Sequence, residues 1–216
     1  MQVPRFYPIL DTAVCARAGL GVVGAAQAIQ DGGARILQLR HKGHFSREVF
    51  EWAERIAQLC ESAGVQFIIN DRADMAALLG AGLHLGQNDL EPADARKLLP
   101  PGRAIGFSTH NSAQLEAAAF EPVDYFAVGP IFQTASKDQP DPEVGVTELA
   151  RLRSSFSRRP LVAIGGITRE NANAVWRAGA DSVAVIGDLF ARDGGYAALR
   201  ARTSEWVELG ENRHTG

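Results

Sequence analysis

Residues Phe67 to Asp89, read as FIINDRADMAALLGAGLHLGQND, hold the pattern that decides the fold. An apolar run stops at Asn70–Asp71, and a short alanine-rich helical pattern follows it. The segment GLHLG then predicts a second strand, which gives way to polar residues at 87–89. Two strands joined through a helix lie parallel, so their ends meet at one edge of a sheet. Both strands end in a carboxylate, and the question is what Asp71 and Asp89 do there.

The same alternation of strand and helix patterns extends along the whole chain. A helical pattern over 46–64 is the clearest, because its apolar residues recur near a 3.6-residue period between a predicted N-cap, Ser46, and a predicted stop, Gly64. Eight short apolar runs are predicted as strands: residues 6–10, 36–40, 66–70, 82–86, 104–109, 125–130, 161–166 and 182–187.

Eight such units in 216 residues predict an α/β protein with a single-domain (β/α)8 TIM barrel. An open, doubly wound sheet is the alternative, but the nucleotide-binding form of that fold carries a glycine fingerprint after its first strand, and this chain lacks it there. We expect the barrel to occupy residues 1–208 and residues 209–216 to form a frayed tail.

Composition excludes several classes of function. The chain is 46% hydrophobic and 22% charged, as globular proteins are, and its net charge of −3 gives no electrostatic footprint for nucleic acid. No apolar run is long enough for a membrane span, and the first residues lack a secretory pattern. Cys15 and Cys60 have no metal-ligand spacing. We therefore expect a cytoplasmic protein without nucleic-acid or membrane partners; a homo-oligomer is left open.

The chemistry of such barrels lies at the carboxyl ends of the strands. After the second predicted strand, Gln38, Arg40 and Lys42 alternate onto one face, towards the mouth of the barrel. Cations inside a barrel are costly unless an anion pairs with them. An internal salt bridge is one interpretation of these residues, and a site for a phosphate or diphosphate is the other.

Asp71 and Asp89 follow the third and fourth strands. Each could cap the helix that comes next, at Arg72 and at Glu91 respectively. Two carboxylates that converge at the mouth of a barrel also suit Mg²⁺, which prefers oxygen ligands. Because the cations of the second strand reach the same mouth, a site for Mg²⁺ and a diphosphate is the better interpretation.

The remaining strand ends add an anion site. The loop after the sixth strand, GPIFQTASKD, supplies Thr134, Ser136 and Lys137, of which Lys137 is the best candidate for a third cation. The seventh and eighth strands end in glycines, including Gly166 and Gly187, whose backbone N–H groups could approach a phosphate closely. Two anion sites in one mouth predict two phosphorylated substrates, one of them carrying a diphosphate leaving group.

The motifs LQLRHK, INDRADMA, GLHLGQNDL, GFSTH, VGPIFQTASK, AIGGI and VAVIG occur in this order over residues 6–190. In this combination the chain resembles the thiamine phosphate synthase family. The resemblance implies a transferase that moves a hydroxymethylpyrimidine group from its diphosphate to the nitrogen of thiazole phosphate, with Mg²⁺ as cofactor. Thiamine phosphate and pyrophosphate would be the products.

The resemblance also implies roles for individual residues. Asp71 and Asp89 would be Mg²⁺ ligands, while Ser108 and Lys137 would assist departure of pyrophosphate. Contacts to the pyrimidine diphosphate would come from Gln38, Arg40, Lys42, Asn70, Ser108 and Lys137, and contacts to the thiazole phosphate from Thr134, Ser136, Gly166, Ile186 and Gly187. The chain departs from the family pattern at His41, where an acid is usual, and at Gly187, where serine is frequent.

Two alternatives from other classes remain. A thiazole tautomerase of the same fold would need no metal and would use His110, at the end of the fifth strand, as its base. A lone histidine there is more often a structural group than a base. A non-catalytic phosphate-binding barrel is the second alternative, and dependence on Mg²⁺ distinguishes the synthase from both.

Overall fold

The computed structural model describes residues 3–134, 142–156, 159–190 and 194–212. Its parallel strands close into a barrel in which each strand pairs with its neighbours in chain order and the last pairs with the first. The predicted (β/α)8 barrel is thus confirmed. The strands are β1 Phe6–Asp11, β2 Ile36–Arg40, β3 Gln66–Asn70, β4 Gly82–Leu85, β5 Ile105–Thr109, β6 Tyr125–Val128, β7 Leu161–Ile164 and β8 Ser182–Val185.

Helices cover the outside of the barrel. They are α1 Thr12–Arg17, α2 Val22–Asp31, α3 Arg47–Ala63, α4 Ala73–Leu78, α5 Pro92–Leu98, α6 Ser112–Ala117, α7 Gly145–Ser155, α8 Ala172–Arg177 and α9 Gly195–Glu211, with 3₁₀ turns at Ala118–Phe120 and Gly187–Leu189. No helix in the described part of the chain is long and apolar enough to cross a bilayer.

The boundaries of these elements follow local chemistry. The helix predicted over 46–64 is α3, where the hydroxyl of Ser46 accepts a hydrogen bond from Val49 N and Gly64 ends the helix in the left-handed conformation. Strands β6, β7 and β8 end two residues before the predicted positions, since the glycines that follow them already belong to the loops at the mouth. Helix α9 extends to Glu211, so residues 209–211 are helical, and residues 213–216 lie outside the described chain.

Alternation along the strands divides the core into two layers. Outward side chains such as Leu10, Leu39 and Leu83 pack under the helices, and Trp206 of α9 stacks on Phe6 with ring centroids 5.4 Å apart. Inward side chains such as Ile68 and Val162 fill the lower barrel. Further up the interior the inward positions become polar, with buried Gln38, Asn70 and His84, and this change marks the site.

Candidate active site

A cavity of about 890 Å³ opens at the carboxyl ends of the strands, and all eight strands contribute to its wall. Its volume lies in the range of small-molecule sites, about 300–1,000 Å³. The predicted site residues that line it are Gln38, Arg40, Lys42, Asn70, Asp71, Asp89, Ser108, Thr134, Gly166, Ile186 and Gly187, together with His110. The predicted residues Ser136 and Lys137 lie outside the described chain.

The two cations of the second strand and its loop are already paired with carboxylates. Arg40 Nη1 donates to Asp11 Oδ2, and both side chains are largely buried. Lys42 Nζ lies 2.5 Å from Asp71 Oδ2 and is more exposed. An internal salt bridge is therefore present at Arg40, although both cations also line the cavity. His41 points away from them, as alternation predicts, with Nδ1 2.8 Å from the hydroxyl of Thr12.

Asp11 was not identified from the sequence, yet it organises this side of the mouth. It is the last residue of β1 and lies directly opposite Arg40 in the register of β1 and β2. Its Oδ1 accepts hydrogen bonds of 3.0 Å from the N–H groups of Ala13 and Val14 at the start of α1. One carboxylate thus caps a helix and neutralises Arg40, which fixes the arginine against the cavity wall.

Asp71 and Asp89 lie beside each other, so the two strand ends of the opening sequence converge. Their carboxyl groups are within hydrogen-bonding reach, and Asp89 Oδ2 also accepts from Gly86 N at 2.7 Å. Burial raises the pKa of Asp89, and the neighbouring Asp71 raises it further, whereas the hydrogen bond from Gly86 lowers it. Asp71 has a positive φ of 65°, which is unusual for a residue other than glycine and places strain at this position.

The capping interpretation of these two acids is wrong. Helix α4 begins after Arg72 and helix α5 after Glu91, and in the described structure neither start receives a side-chain cap hydrogen bond. The two adjacent carboxylates cap neither helix, and a metal cation would relieve the repulsion between them that remains beside the single charge of Lys42. Among the described residues there is no cluster of three or more His, Cys, Asp or Glu side chains fit for a metal. A pair of carboxylates fits Mg²⁺, which keeps several waters and takes further ligands from substrate phosphates.

The side chain of Asn70 has a hydrogen-bond donor that pairs with no acceptor in the described structure. The side chain is buried, and its Nδ2 has no hydrogen-bond partner among the described residues. A buried amide donor without a partner costs about 1–3 kcal/mol. Since Asn70 lines the cavity, an acceptor atom on a bound molecule would remove that cost.

The loops after β7 and β8 form the opposite side of the mouth, because these strands stand across the closed barrel from β3 and β4. Gly166 has φ +62°, and a Cβ there would overlap the backbone carbonyl of Gln133, so only glycine fits. Gly187 opens a 3₁₀ turn in which a Cβ would meet nothing within 4 Å. This turn is anchored by Asp188, whose Oδ2 accepts a 2.9 Å hydrogen bond from Trp206 Nε1.

His110 is held by the backbone. Its Nδ1 lies 2.6 Å from the carbonyl oxygen of Gly129, and since a carbonyl can only accept, Nδ1 carries the proton in this contact. The ring borders the cavity. The structure thus gives His110 a structural hydrogen bond without removing it from the site.

Sequence reasoning missed three polar residues on the floor of the cavity. Tyr7, His84 and Tyr125 are buried and hydrogen-bonded in a row, with His84 Nδ1 3.0 Å and Tyr7 OH 2.9 Å from the hydroxyl of Tyr125. In the sequence each of them lies inside an apolar strand, a position that predicts a core side chain. A signal was present, since all three occupy inward positions of their strands, where aliphatic side chains are the rule.

Known proteins with similar sequences and structures belong to the same family that the sequence motifs indicate. The model of the thiamine monophosphate synthase family matches residues 6–189. The chain is 43% identical to the thiamine-phosphate synthase of Koribacter versatilis, over 97% of both chains, and 48% identical to that of Chlorobium phaeovibrioides, over 76% of this chain and 78% of the relative. Among solved structures, the thiamine phosphate pyrophosphorylase from Pyrococcus furiosus superposes with a TM-score of 0.81 at 26% identity and covers 96% of this chain and 97% of its own.

Proposed function

Because the chain belongs to the thiamine monophosphate synthase family, we propose that this transferase joins hydroxymethylpyrimidine diphosphate to thiazole phosphate in a reaction that depends on Mg²⁺. The bond between the pyrimidine methylene carbon and the diphosphate oxygen breaks, and a bond from that carbon to the thiazole nitrogen forms. Thiamine phosphate and pyrophosphate leave. No protein nucleophile is required.

The observation that carries the proposal is the Asp71–Asp89 pair beside Lys42, at the edge of a cavity whose opposite side is made of glycine-containing loops. The acids and the lysine suit a metal-bound diphosphate, whereas Gly166 and Gly187 suit a phosphate held by backbone N–H groups. One cavity would hold both substrates with their reacting ends between the two sides.

At the diphosphate side, Asp71 and Asp89 would hold Mg²⁺, which when bound supplies positive charge to the leaving pyrophosphate. Lys42 can turn from Asp71 to the diphosphate, because its side chain is 57% exposed and its partner would be shared with the ion. Arg40 is largely buried and paired with Asp11, so we assign it a contact to the diphosphate that needs no rearrangement. The predicted role of Lys137 stays a prediction.

The pyrimidine ring would be recognised deeper in the cavity. Asn70 offers its unused amide donor, and Gln38, whose Nε2 donates to Tyr7, offers its amide oxygen. Together they match a heterocycle that presents both acceptor nitrogens and an amino group. Ser108, above them on β5, would donate a hydrogen bond to the departing oxygen.

The thiazole phosphate would be bound at the loops after β6, β7 and β8. Thr134, Gly166, Ile186 and Gly187 line this side, and Ser136 is assigned there by the family resemblance. Asp188 holds the turn at Gly187 in place through Trp206 and Arg169. The bound substrates would exclude water from the reacting methylene carbon, which would otherwise be open to hydrolysis.

The experiment is to incubate the purified protein with both substrates and Mg²⁺ and to identify the product by mass. Thiamine phosphate should form in the wild-type protein and in a His110→Ala variant, and chelation of Mg²⁺ should stop it. The tautomerase alternative predicts the opposite pattern. Isomerisation of the thiazole phosphate would persist without metal and disappear in His110→Ala. Absence of thiamine phosphate in the presence of both substrates and metal would overturn the proposal.

A further inference from the structure

Five hydrogen-bonding side chains form a continuous row across the floor of the cavity. Gln38 Nε2 donates to Tyr7 OH at 3.0 Å, Tyr7 OH lies 2.9 Å from Tyr125 OH, and Tyr125 OH lies 3.0 Å from His84 Nδ1. His84 Nε2 then lies 2.9 Å from Ser108 Oγ. We call Gln38, Tyr7, Tyr125, His84 and Ser108 the floor chain; its first four members are buried, and Ser108 is its member at the cavity's wall.

The first donor sets the start of this chain, since the amide nitrogen of Gln38 can only donate and the hydroxyl of Tyr7 accepts there. Either hydroxyl could donate between Tyr7 and Tyr125, and we assign the Tyr7 proton to Tyr125 because this assignment gives every hydroxyl of the chain an acceptor. With that assignment, Tyr125 gives its proton to Nδ1 of His84. Burial raises the pKa of both tyrosines, so both keep these protons at neutral pH.

The histidine is thereby fixed in one tautomer. With Nδ1 as acceptor, the neutral ring carries its proton on Nε2 and donates it to Ser108 Oγ. The proton of Ser108 is then directed away from His84, towards the cavity that Ser108 lines. Hydrogen bonds in a chain polarise one another, so a serine that accepts from His84 is a better donor than an isolated serine.

We propose that His84 is a positioning residue of the transferase, which orients the Ser108 hydroxyl as a donor to the substrate and is itself held in its tautomer by Tyr125 and Tyr7. The chemical identity of that substrate rests on the proposed function, in which Ser108 donates to the departing diphosphate oxygen. The hydrogen-bond direction within the floor chain does not depend on it. Gln38, at the far end of the floor chain, would couple recognition of the pyrimidine to the orientation of the Ser108 hydroxyl.

Packing around the floor chain shows that its geometry is specified. The rings of His84 and Tyr125 stack with centroids 5.6 Å apart and an interplanar angle of 23°, while Tyr7 meets Tyr125 edge-on. Gly106 on β5 leaves the space into which the Tyr125 ring fits, since a Cβ there would overlap the ring. A floor of aliphatic side chains would fill the same barrel without the cost of burying four polar side chains.

The test is a double-mutant cycle between Tyr125→Phe and Ser108→Ala, measured on thiamine phosphate formation. Tyr125→Phe removes the hydroxyl and keeps the ring. The loss of one hydrogen bond predicts a fall in kcat of about tenfold, with each KM changed by less than about twofold. In a Ser108→Ala background Tyr125→Phe should cause no further loss, because the effect passes through the serine. Equal losses in both backgrounds would overturn the proposal.

The matched control is Tyr196→Phe. Tyr196 is a half-exposed residue of α9 whose hydroxyl accepts a 3.0 Å hydrogen bond from Gly21 N, far from the floor chain in connectivity. This variant also deletes one hydrogen-bonded tyrosine hydroxyl and should keep wild-type kcat. If Tyr125→Phe fails to fold, Tyr7→Phe serves in the same cycle, with a smaller loss that is again absent without Ser108.

A spectroscopic readout separates this inference from the proposed function. The ¹⁵N shifts of the His84 ring in the protein without substrates should report a protonated Nε2 and an unprotonated Nδ1. In Tyr125→Phe the Nδ1–H form should become populated, because Nδ1 no longer accepts a hydrogen bond from the Tyr125 hydroxyl. Tyr196→Phe should leave the tautomer of the ring unchanged. A wild-type ring protonated on Nδ1 would overturn the proposal whatever reaction the enzyme catalyses.

Discussion

Replacement of Asp11 tests how the cationic wall of the site is held. The carboxylate makes two separable interactions, since Oδ1 accepts from Ala13 N and Val14 N and Oδ2 pairs with Arg40. Asp11→Asn retains an oxygen for the cap but removes the charge opposite Arg40. Asp11→Ala removes both. The difference between the two variants therefore reports the cap, and the loss in Asp11→Asn reports the ion pair.

The magnitudes follow from burial. Removal of one partner of a fully buried ion pair costs about 3–5 kcal/mol. The side chain of Arg40 retains 17% exposure and that of Asp11 7%, so water reaches part of the pair and we expect about 2–3 kcal/mol for Asp11→Asn. Loss of an N-cap adds about 1 kcal/mol. Asp11→Ala should therefore be destabilised by about 3–4 kcal/mol.

The assay is equilibrium unfolding in urea at neutral pH, with Asp31→Asn as the matched control. Asp31 is exposed at the end of α2 and accepts a surface hydrogen bond from Gln27, so its substitution should change the free energy of unfolding by less than about 0.5 kcal/mol. If Asp11→Asn unfolds with the wild-type free energy, Arg40 is not held by this pair. If the two Asp11 variants are equally unstable, the cap contributes nothing.

Three further substitutions test the assignments at the mouth. Asp89→Ala should fold normally and lose about a hundredfold or more in kcat, because it removes a metal ligand and no core volume. The control is Asp74→Asn, at an exposed acid, which should leave the rate unchanged. A folded Asp89→Ala protein with Mg²⁺-dependent turnover near wild type would exclude the metal assignment. Gly166→Ala should raise the KM for thiazole phosphate and lower stability by about 1–3 kcal/mol, since φ is +62° and the added Cβ overlaps the carbonyl of Gln133. Steady-state kinetics measure the KM and urea unfolding measures the stability. Wild-type values of both would show that the loop adapts to the added methyl group. Gly187→Ser should leave activity intact or lower the KM for thiazole phosphate, because space around Gly187 is open; a large rise in that KM would contradict the backbone role given to this turn.

The fold was predictable because the signals are local. Strands such as β2 and β3 have the predicted bounds, since apolar runs bounded by polar residues are read directly from the chain. The site residues on the strand ends were predictable for a related reason. Once eight parallel strands are inferred, the position of every carboxyl end in one mouth follows, and Asp71 and Asp89 must converge.

What the sequence did not reveal depends on register and on side-chain direction. Asp11 lies opposite Arg40 because β1 and β2 pair in one particular register, and no local pattern encodes that alignment. Tyr7 and Tyr125 are indistinguishable from core aromatics in sequence, although 118 residues apart they share a hydrogen bond. The same holds for Asp188, whose partner Trp206 lies on the last helix. Such pairings become visible only when the barrel is closed.

Release of pyrophosphate from hydroxymethylpyrimidine diphosphate is the measurement that tests the proposed chemistry most directly. It should be followed in four mixtures, with and without thiazole phosphate and with and without Mg²⁺. We expect rapid release in the one mixture that contains both, since Asp71 and Asp89 serve the leaving group and thiazole phosphate supplies the attacking nitrogen. Release at the same rate without Mg²⁺, or no release in any mixture, would contradict the assignment of this cavity as a metal-assisted transferase site.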